Sequence, residues 1–241
     1  MNKFLIQTVN GKVVHDFSFA LIGAIEYQNW FANKEVWTYE LSDVPIYHHV
    51  VPIGSVEFVT RFFDYRGIPI TPRNIPESLL KYANRDIIYG TKKEAKLKLE
   101  EHSEIFLKSH NRIKGFCDIV SKKSQIPAPR YNGASPYEED IYLISEVIEI
   151  KSEWRAFIFN NKLVGLQNYG GDFTIFPEVD RIKSMMEDFK GAPIAYTLDV
   201  GVNRDTFIIE VHDFFSCGLY GFDNKTILPQ MFKAWYNNAI Q

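Results

Sequence analysis

Residues 195–213 read AYTLDVGVNRDTFIIEVHD, and this stretch decides the fold. Two apolar runs rich in β-branched and aromatic residues, 195–202 and 206–211, flank the turn-forming triplet Asn203-Arg204-Asp205. The pattern predicts a β-hairpin. With a turn of about four residues, Asp199 stands opposite Glu210, and directly paired strand residues lie about 5 Å apart. Side chains alternate along a strand, so His212 shares the face of Glu210, with Asp213 next in line. Two carboxylates held that close repel one another unless a cation lies between them. Mg2+ takes oxygen ligands and is often held by one or two carboxylates together with phosphates and waters. Acids facing solvent at strand ends are the other reading of the same residues.

Working outward, Glu153–Phe159 and Lys162–Gln167 read as a second hairpin across Asn160-Asn161. Between the hairpins Val179, Ile182, Met186 and Phe189 recur at helical spacing over Pro177–Lys190, with Gly191 to end the helix. Leu228–Ile240 reads as a terminal helix. Upstream, Glu104–Lys108, Gly115–Val120 and Asp140–Glu149 read as strands, and the Pro- and Gly-rich stretch Lys122–Pro136 as a loop. Thr91-Lys92-Lys93-Glu94 is a capping box opening a charged helix to Glu101. Ile87–Tyr89 precedes it as a strand, and a helix from Pro76 to Ala83 comes before that. Ser55 can cap a helix over Val56–Tyr65. Phe19–Phe31 is patterned as a helix and Lys3–Val9 as a strand. The outline is α+β, with a mixed N-terminal module over residues 1–100 and an antiparallel-rich module over 101–241.

The chain of 241 residues is 46% hydrophobic, enough for a substantial core. A net charge of -3 excludes a generally basic nucleic-acid binder. Cys117 and Cys217 are far apart and form no CxxC pair, which argues against a disulfide framework or a cysteine zinc site and fits the cytoplasm. No apolar run reaches the ~18 residues of a membrane span.

Three basic residues have a context suited to phosphate oxygens. Lys108 interrupts an apolar strand, Lys114 sits beside Gly115 in a loop, and Arg155 opens a strand where a bidentate grip is available. Taken singly, each is more often a solvated charge. Residues 144–149 read ISEVIE. The backbone of such an extended segment can read an adenine edge, and an acid after it can hold ribose hydroxyls; an edge strand with solvated glutamates is the alternative. His48 and His49 are adjacent and point to opposite faces of a strand, so they do not share a metal. Arg61, Arg66, Arg73 and Arg85 are candidates for an anionic substrate, Arg85 foremost.

The order of these parts resembles the ATP-grasp superfamily, in particular a small bacterial and phage clade named for two arginines and a lysine. The likeness rests on VPIGSVEF at 51–58, FLK at 106–108, KGF at 114–116, SEWR at 152–155, LDVGV at 198–202, IEVHD at 209–213 and CGLYG at 217–221. It implies antiparallel-rich lobes around an ATP cleft, preceded by an N-terminal module. It further implies that Lys108 contacts the phosphates, that the loop near Lys114 closes over them, and that Arg155 faces the γ-phosphate or the acyl phosphate. Glu146, Val147 and Ile148 would form the adenine hinge, and Glu149 would reach the ribose. Mg2+ would be held by Asp199 and Glu210. The superfamily's usual third ligand is an Asn two residues after the Glu. Here that position is His212, a poorer Mg2+ ligand, which Asp213 or a water would have to offset.

The implied activity is an ATP-dependent carboxylate–amine ligase making amide or peptide bonds through an acyl phosphate, with small-molecule or peptide substrates. A nucleotide-binding regulatory protein without turnover is the rival favoured by His212. A nucleic-acid-associated protein is a third, resting on the basic runs 92–98 and 108–123, the first of which is balanced by acids.

Overall fold

Short strands form the N-terminal layer of this computed structural model, which describes residues 2–46, 49–70, 72–110, 115–127 and 140–241. β1 (Lys3–Gln7), β2 (Thr38–Ser42) and β3 (Val51–Ile53) make a parallel sheet in the order β2-β1-β3. Parallel neighbours need a crossover, and α1 (Asp16–Ala32) supplies it between β1 and β2. The central strand carries the consecutive buried residues Phe4, Leu5 and Ile6, as a strand covered on both faces must. β2 is absent from the elements read in the sequence, because TYELS is a polar, half-buried edge without a long apolar run. α2 (Val56–Asp64) starts where expected, with the Ser55 hydroxyl accepting from the Phe58 N–H at 3.2 Å. Glu77–Tyr82 is a 3-10 helix following Pro76, shorter and tighter than the helix expected there.

The second sheet is antiparallel, in the order β4-β7-β5-β6, from β4 (Ile87–Gly90), β5 (Ile105–Ser109), β6 (Cys117–Val120) and β7 (Tyr142–Ser145). α3 (Lys92–Glu101) lies against it, opened by the Thr91–Glu94 capping box and anchored by buried Ala95. β4 and α3 thus join this layer although they precede residue 101. β7 ends at Ser145, ahead of the expected Glu149, and residues 146–151 cross without regular structure to the third sheet.

That sheet, β11-β10-β8-β9, holds β8 (Ser152–Phe159), β9 (Lys162–Gly171), β10 (Ala195–Val202) and β11 (Thr206–Asp213). Asn160 and Asn161 both have left-handed φ, 49° and 55°, which suits the two-residue turn between β8 and β9. All eight residues of β10 are buried. One face of the sheet packs Trp154, Ala156, Ile158, Leu198 and Val200 against α4 (Val179–Asp188). The other turns Phe157 and Ala195 toward the N-terminal layer and α5 (Leu228–Ala239).

The hairpin of β10 and β11 holds the expected pair by an unexpected route. Val202 pairs with Thr206 and Val200 with Ile208, and the register then shifts so that Asp199 faces Glu210. The turn is the triplet 203–205, and the extra residue enters as a bulge at Ile209.

Phe157 stacks on Phe222 with ring centroids 4.2 Å apart, and Gly165 on β9 lies opposite Phe157. A Cβ on Gly165 would run into the Phe222 ring. Gly165→Ala is expected to cost about 1–3 kcal/mol of stability through overpacking. The measurement is the urea midpoint at unchanged slope; an unchanged midpoint would mean that the Phe222 ring yields freely.

Candidate active site

The site begins with a buried ion pair. Arg155 on β8 and Asp199 on β10 are register partners. Arg155 Nε donates to Asp199 Oδ1 at 2.8 Å and Nη2 to Oδ2 at 2.7 Å, a bidentate fork. The two side chains are 7% and 3% exposed. Nη1 donates to the Gly218 carbonyl at 3.0 Å, and the guanidinium lies 5.1 Å from the Tyr220 ring centroid. Burial alone would lower the Arg155 pKa, but the hydrogen bonds and charge of Asp199 more than offset it and hold it up. Arg155 is therefore first an anchor for Asp199, with only its remaining Nη hydrogens available elsewhere.

Across the strand pair, Glu210 contacts two cationic or neutral partners. Lys108 reaches it from β5 of the second sheet as an ion pair through Glu210 Oε2. His212 Nε2 sits 2.5 Å from Glu210 Oε1 and 3.8 Å from Asp199 Oδ2. Burial lowers the Lys108 pKa, with Arg85 adding to the effect while Cys117 and Asp199 oppose it. For His212, loss of water around the ring pushes the pKa down to about 4; Arg155 and Lys108 add to this and Asp199 opposes it. The ring is neutral at pH 7, although 40% of the side chain stays open to solvent.

Among the described residues, Asp199, Glu210 and His212 form a trio whose donor atoms all lie within 4.8 Å of one another. An octahedral ion with ligands at about 2.1 Å spans such a set, so the geometry fits a divalent cation. Asp213 stands apart from the trio: alternation turns it away, and it accepts from Arg73 Nε at 2.5 Å. A cavity of about 270 Å3 opens on Lys108, Cys117, Glu210, His212 and Arg73.

The hinge candidates lie on the crossing between sheets. Glu146 accepts weakly from the Asp86 N–H at 3.4 Å and faces the Arg85 charge. Val147 and Ile148 are half-buried, and Glu149 is exposed beside Lys151 and Arg204. Lys114 and His48 lie outside the described residues. Asn74 has a role that its sequence context does not assign. It is buried, its carbonyl accepts from Val211 N at 2.7 Å and its Nδ2 donates to the His110 carbonyl at 2.7 Å. It thereby ties β11 to the end of β5. Its one signal is a polar residue inside the Pro-rich run 69–76.

A sheet carrying paired acids thus faces a lysine from a second antiparallel sheet. The model for an ATP-grasp domain, family 2 of the clade named for two arginines and a lysine, matches residues 82–229, more than half of the chain, and the chain belongs to that family. No curated protein matches it in sequence. Among solved structures, D-alanine–D-alanine ligase from Bacillus anthracis complexed with ATP is 12% identical, with a TM-score of 0.57 over 99% of this chain and 97% of that one. A RimK domain ATP-grasp protein from Sphaerobacter thermophilus is also 12% identical, with a TM-score of 0.57 over 97% and 98%. The ATP-grasp ligase PsnB complexed with its minimal precursor is 9% identical, with a TM-score of 0.50 over 100% and 99%. At these identities the likeness is one of fold. No helix among the described residues is long and apolar enough to cross a membrane.

The folded pKa of His212, about 4, lies below its ordinary 6.5. Between these values the unfolded chain binds a proton that the folded chain refuses, so stability falls as pH drops through that window. Urea titrations at a series of pH values should show this loss, and His212→Asn should reduce it. Identical pH dependence in the variant would mean that the folded ring titrates as the unfolded one does.

Proposed function

We propose that the chain is an ATP-dependent carboxylate–amine ligase acting through an acyl phosphate. One convergence supports this reading: Lys108 from one sheet meets Glu210, His212 and the Arg155–Asp199 pair of another beside a cavity, in a chain of the ATP-grasp family. In the reaction a carboxylate oxygen bonds to the γ-phosphorus as the bond from that phosphorus to ADP breaks. An amine nitrogen then attacks the acyl carbon, phosphate leaves and the amine gives up a proton. Such chemistry asks the protein for position and compensating charge rather than for a covalent nucleophile.

Lys108 would turn from Glu210 to the phosphate oxygens, with Lys114 near them. Arg155 would hold Asp199 in place and offer its remaining hydrogens to the γ-phosphate or acyl phosphate. Residues Glu146–Ile148 would border the adenine and Glu149 the ribose. Asp199, Glu210 and His212 would hold a divalent cation, which supplies positive charge to the phosphate oxygens. Substrates would be a small-molecule or peptide acid and an amine.

The crowding of Glu210 by both Lys108 and His212 favours a second reading, a nucleotide-binding regulatory protein without turnover. Assays of ADP and phosphate release against panels of acids and amines separate the two. We expect release to require both substrates, and Glu210→Gln to lower it about a hundredfold or more. Tight ATP binding without turnover across the panel would support the regulatory reading. Equal turnover in Glu210→Gln would remove Glu210 from the site.

A further inference from the structure

We propose that this site takes a first-row transition dication in preference to Mg2+, and that His212 sets the preference. The inference rests on the reading of Asp199, Glu210 and His212 as a metal centre that works with a nucleotide.

The first argument is geometric. In an octahedral shell with ligands at about 2.1 Å, adjacent donors are about 3 Å apart. His212 Nε2 stands 2.5 Å from one carboxylate oxygen and 3.8 Å from the other, on either side of that value. Any ion shared by the two acids therefore meets the imidazole nitrogen as well. The ring is a donor in the shell rather than a neighbour to it.

The second argument is chemical. Mg2+ demands oxygen donors and gains little from nitrogen, whereas imidazole suits the transition ions, whose affinity for nitrogen and oxygen sites rises along the first row. A ring in this position takes a place that Mg2+ would rather fill with an amide oxygen or a water.

The third argument is the charge balance. Before a nucleotide draws Lys108 away, Asp199 is neutralised by Arg155 and Glu210 by Lys108. The protein therefore presents little net negative charge to a dication. A hard ion bound mainly by charge is weakly held here until phosphates arrive. A neutral nitrogen donor retains its value for a transition ion regardless of that balance.

A fourth observation concerns the other ring nitrogen. Thr197 is the cross-strand partner of His212 and lies on the Asp199 face of β10. It is fully buried, and its hydroxyl has no hydrogen-bond partner among the described residues. A hydroxyl placed opposite the ring is suited to accept from Nδ1–H. That bond would leave the Nε2 lone pair for the metal, the usual device by which an outer group sets a histidine ligand's tautomer.

The test uses the full chain with ADP and Mn2+, an ion that shares the octahedral habit of Mg2+ and is visible by electron paramagnetic resonance. Bound Mn2+ is titrated against competing Mg2+ in the parent chain and in His212→Asn, with circular dichroism to confirm that the variant folds. We expect the variant to shift the preference at least about tenfold toward Mg2+. Pulsed resonance on the parent chain alone should show imidazole nitrogen coupled to Mn2+, a result that needs no variant. If ADP and Mn2+ bind but no such coupling appears, or the preference is the same in both chains, the inference is overturned while the metal centre stands. If neither ADP nor Mn2+ binds, the metal-centre reading falls with it.

Discussion

The bidentate contact between Arg155 and Asp199 constrains everything around it. Both side chains are buried between strands, where an unpaired charge would cost several kcal/mol. Each therefore needs the other, and the fork geometry of guanidinium and carboxylate allows little rotation. The carbonyl of Gly218 takes one Nη1 hydrogen of Arg155, and the ring of Tyr220 lies beside the guanidinium. Asp199 is thus held rigidly at the centre of the third sheet. Its carboxylate lies within 4.8 Å of a carboxylate oxygen of Glu210 and a ring nitrogen of His212. The rest of the site is arranged about this fixed acid.

The second sheet reaches Glu210 through the long side chain of Lys108. Lys108 spans the gap between β5 and β11, and its ion pair with Glu210 is an electrostatic bridge between two separately built layers. A chain crossing and a buried asparagine help to hold those layers together. Residues 146–151 join them covalently, and Asn74 joins them by hydrogen bonds to Val211 and His110. Under the proposed function, a phosphate-bearing ligand entering the cavity would compete with Glu210 for Lys108, and the lysine would be both a structural tie and a ligand-responsive group. Its lowered pKa reflects the same burial.

Much of the third sheet is legible in the sequence because its signals are local. The Asn160-Asn161 turn, the alternation through β8 and the apolar runs of β10 and β11 each speak within a few residues. The Thr91–Glu94 box and the Ser55 cap are readable for the same reason. The parallel sheet is less so, since β1 pairs with β2 across the whole of α1 and no turn marks the register. The pairing of Asp199 with Glu210 is visible as parity, but its origin in a bulge is not. Turn and bulge produce the same offset, and only the backbone tells them apart. The Arg155–Asp199 fork is beyond pattern reading altogether, because it joins residues on strands separated by β9 and α4 in the chain.

The bulge at Ile209 bears on how length variation is tolerated. Strand side chains repeat with a period of two. Deleting this one residue would close the bulge and leave Glu210 opposite Asp199 and His212 opposite Thr197, because the pairs on its two sides, Val200 with Ile208 and Asp199 with Glu210, then follow in one regular ladder. Insertions in the exposed turn at 203–205 leave that parity untouched. Homologous chains are therefore best aligned on the paired acids, with gaps placed in the turn or at the bulge.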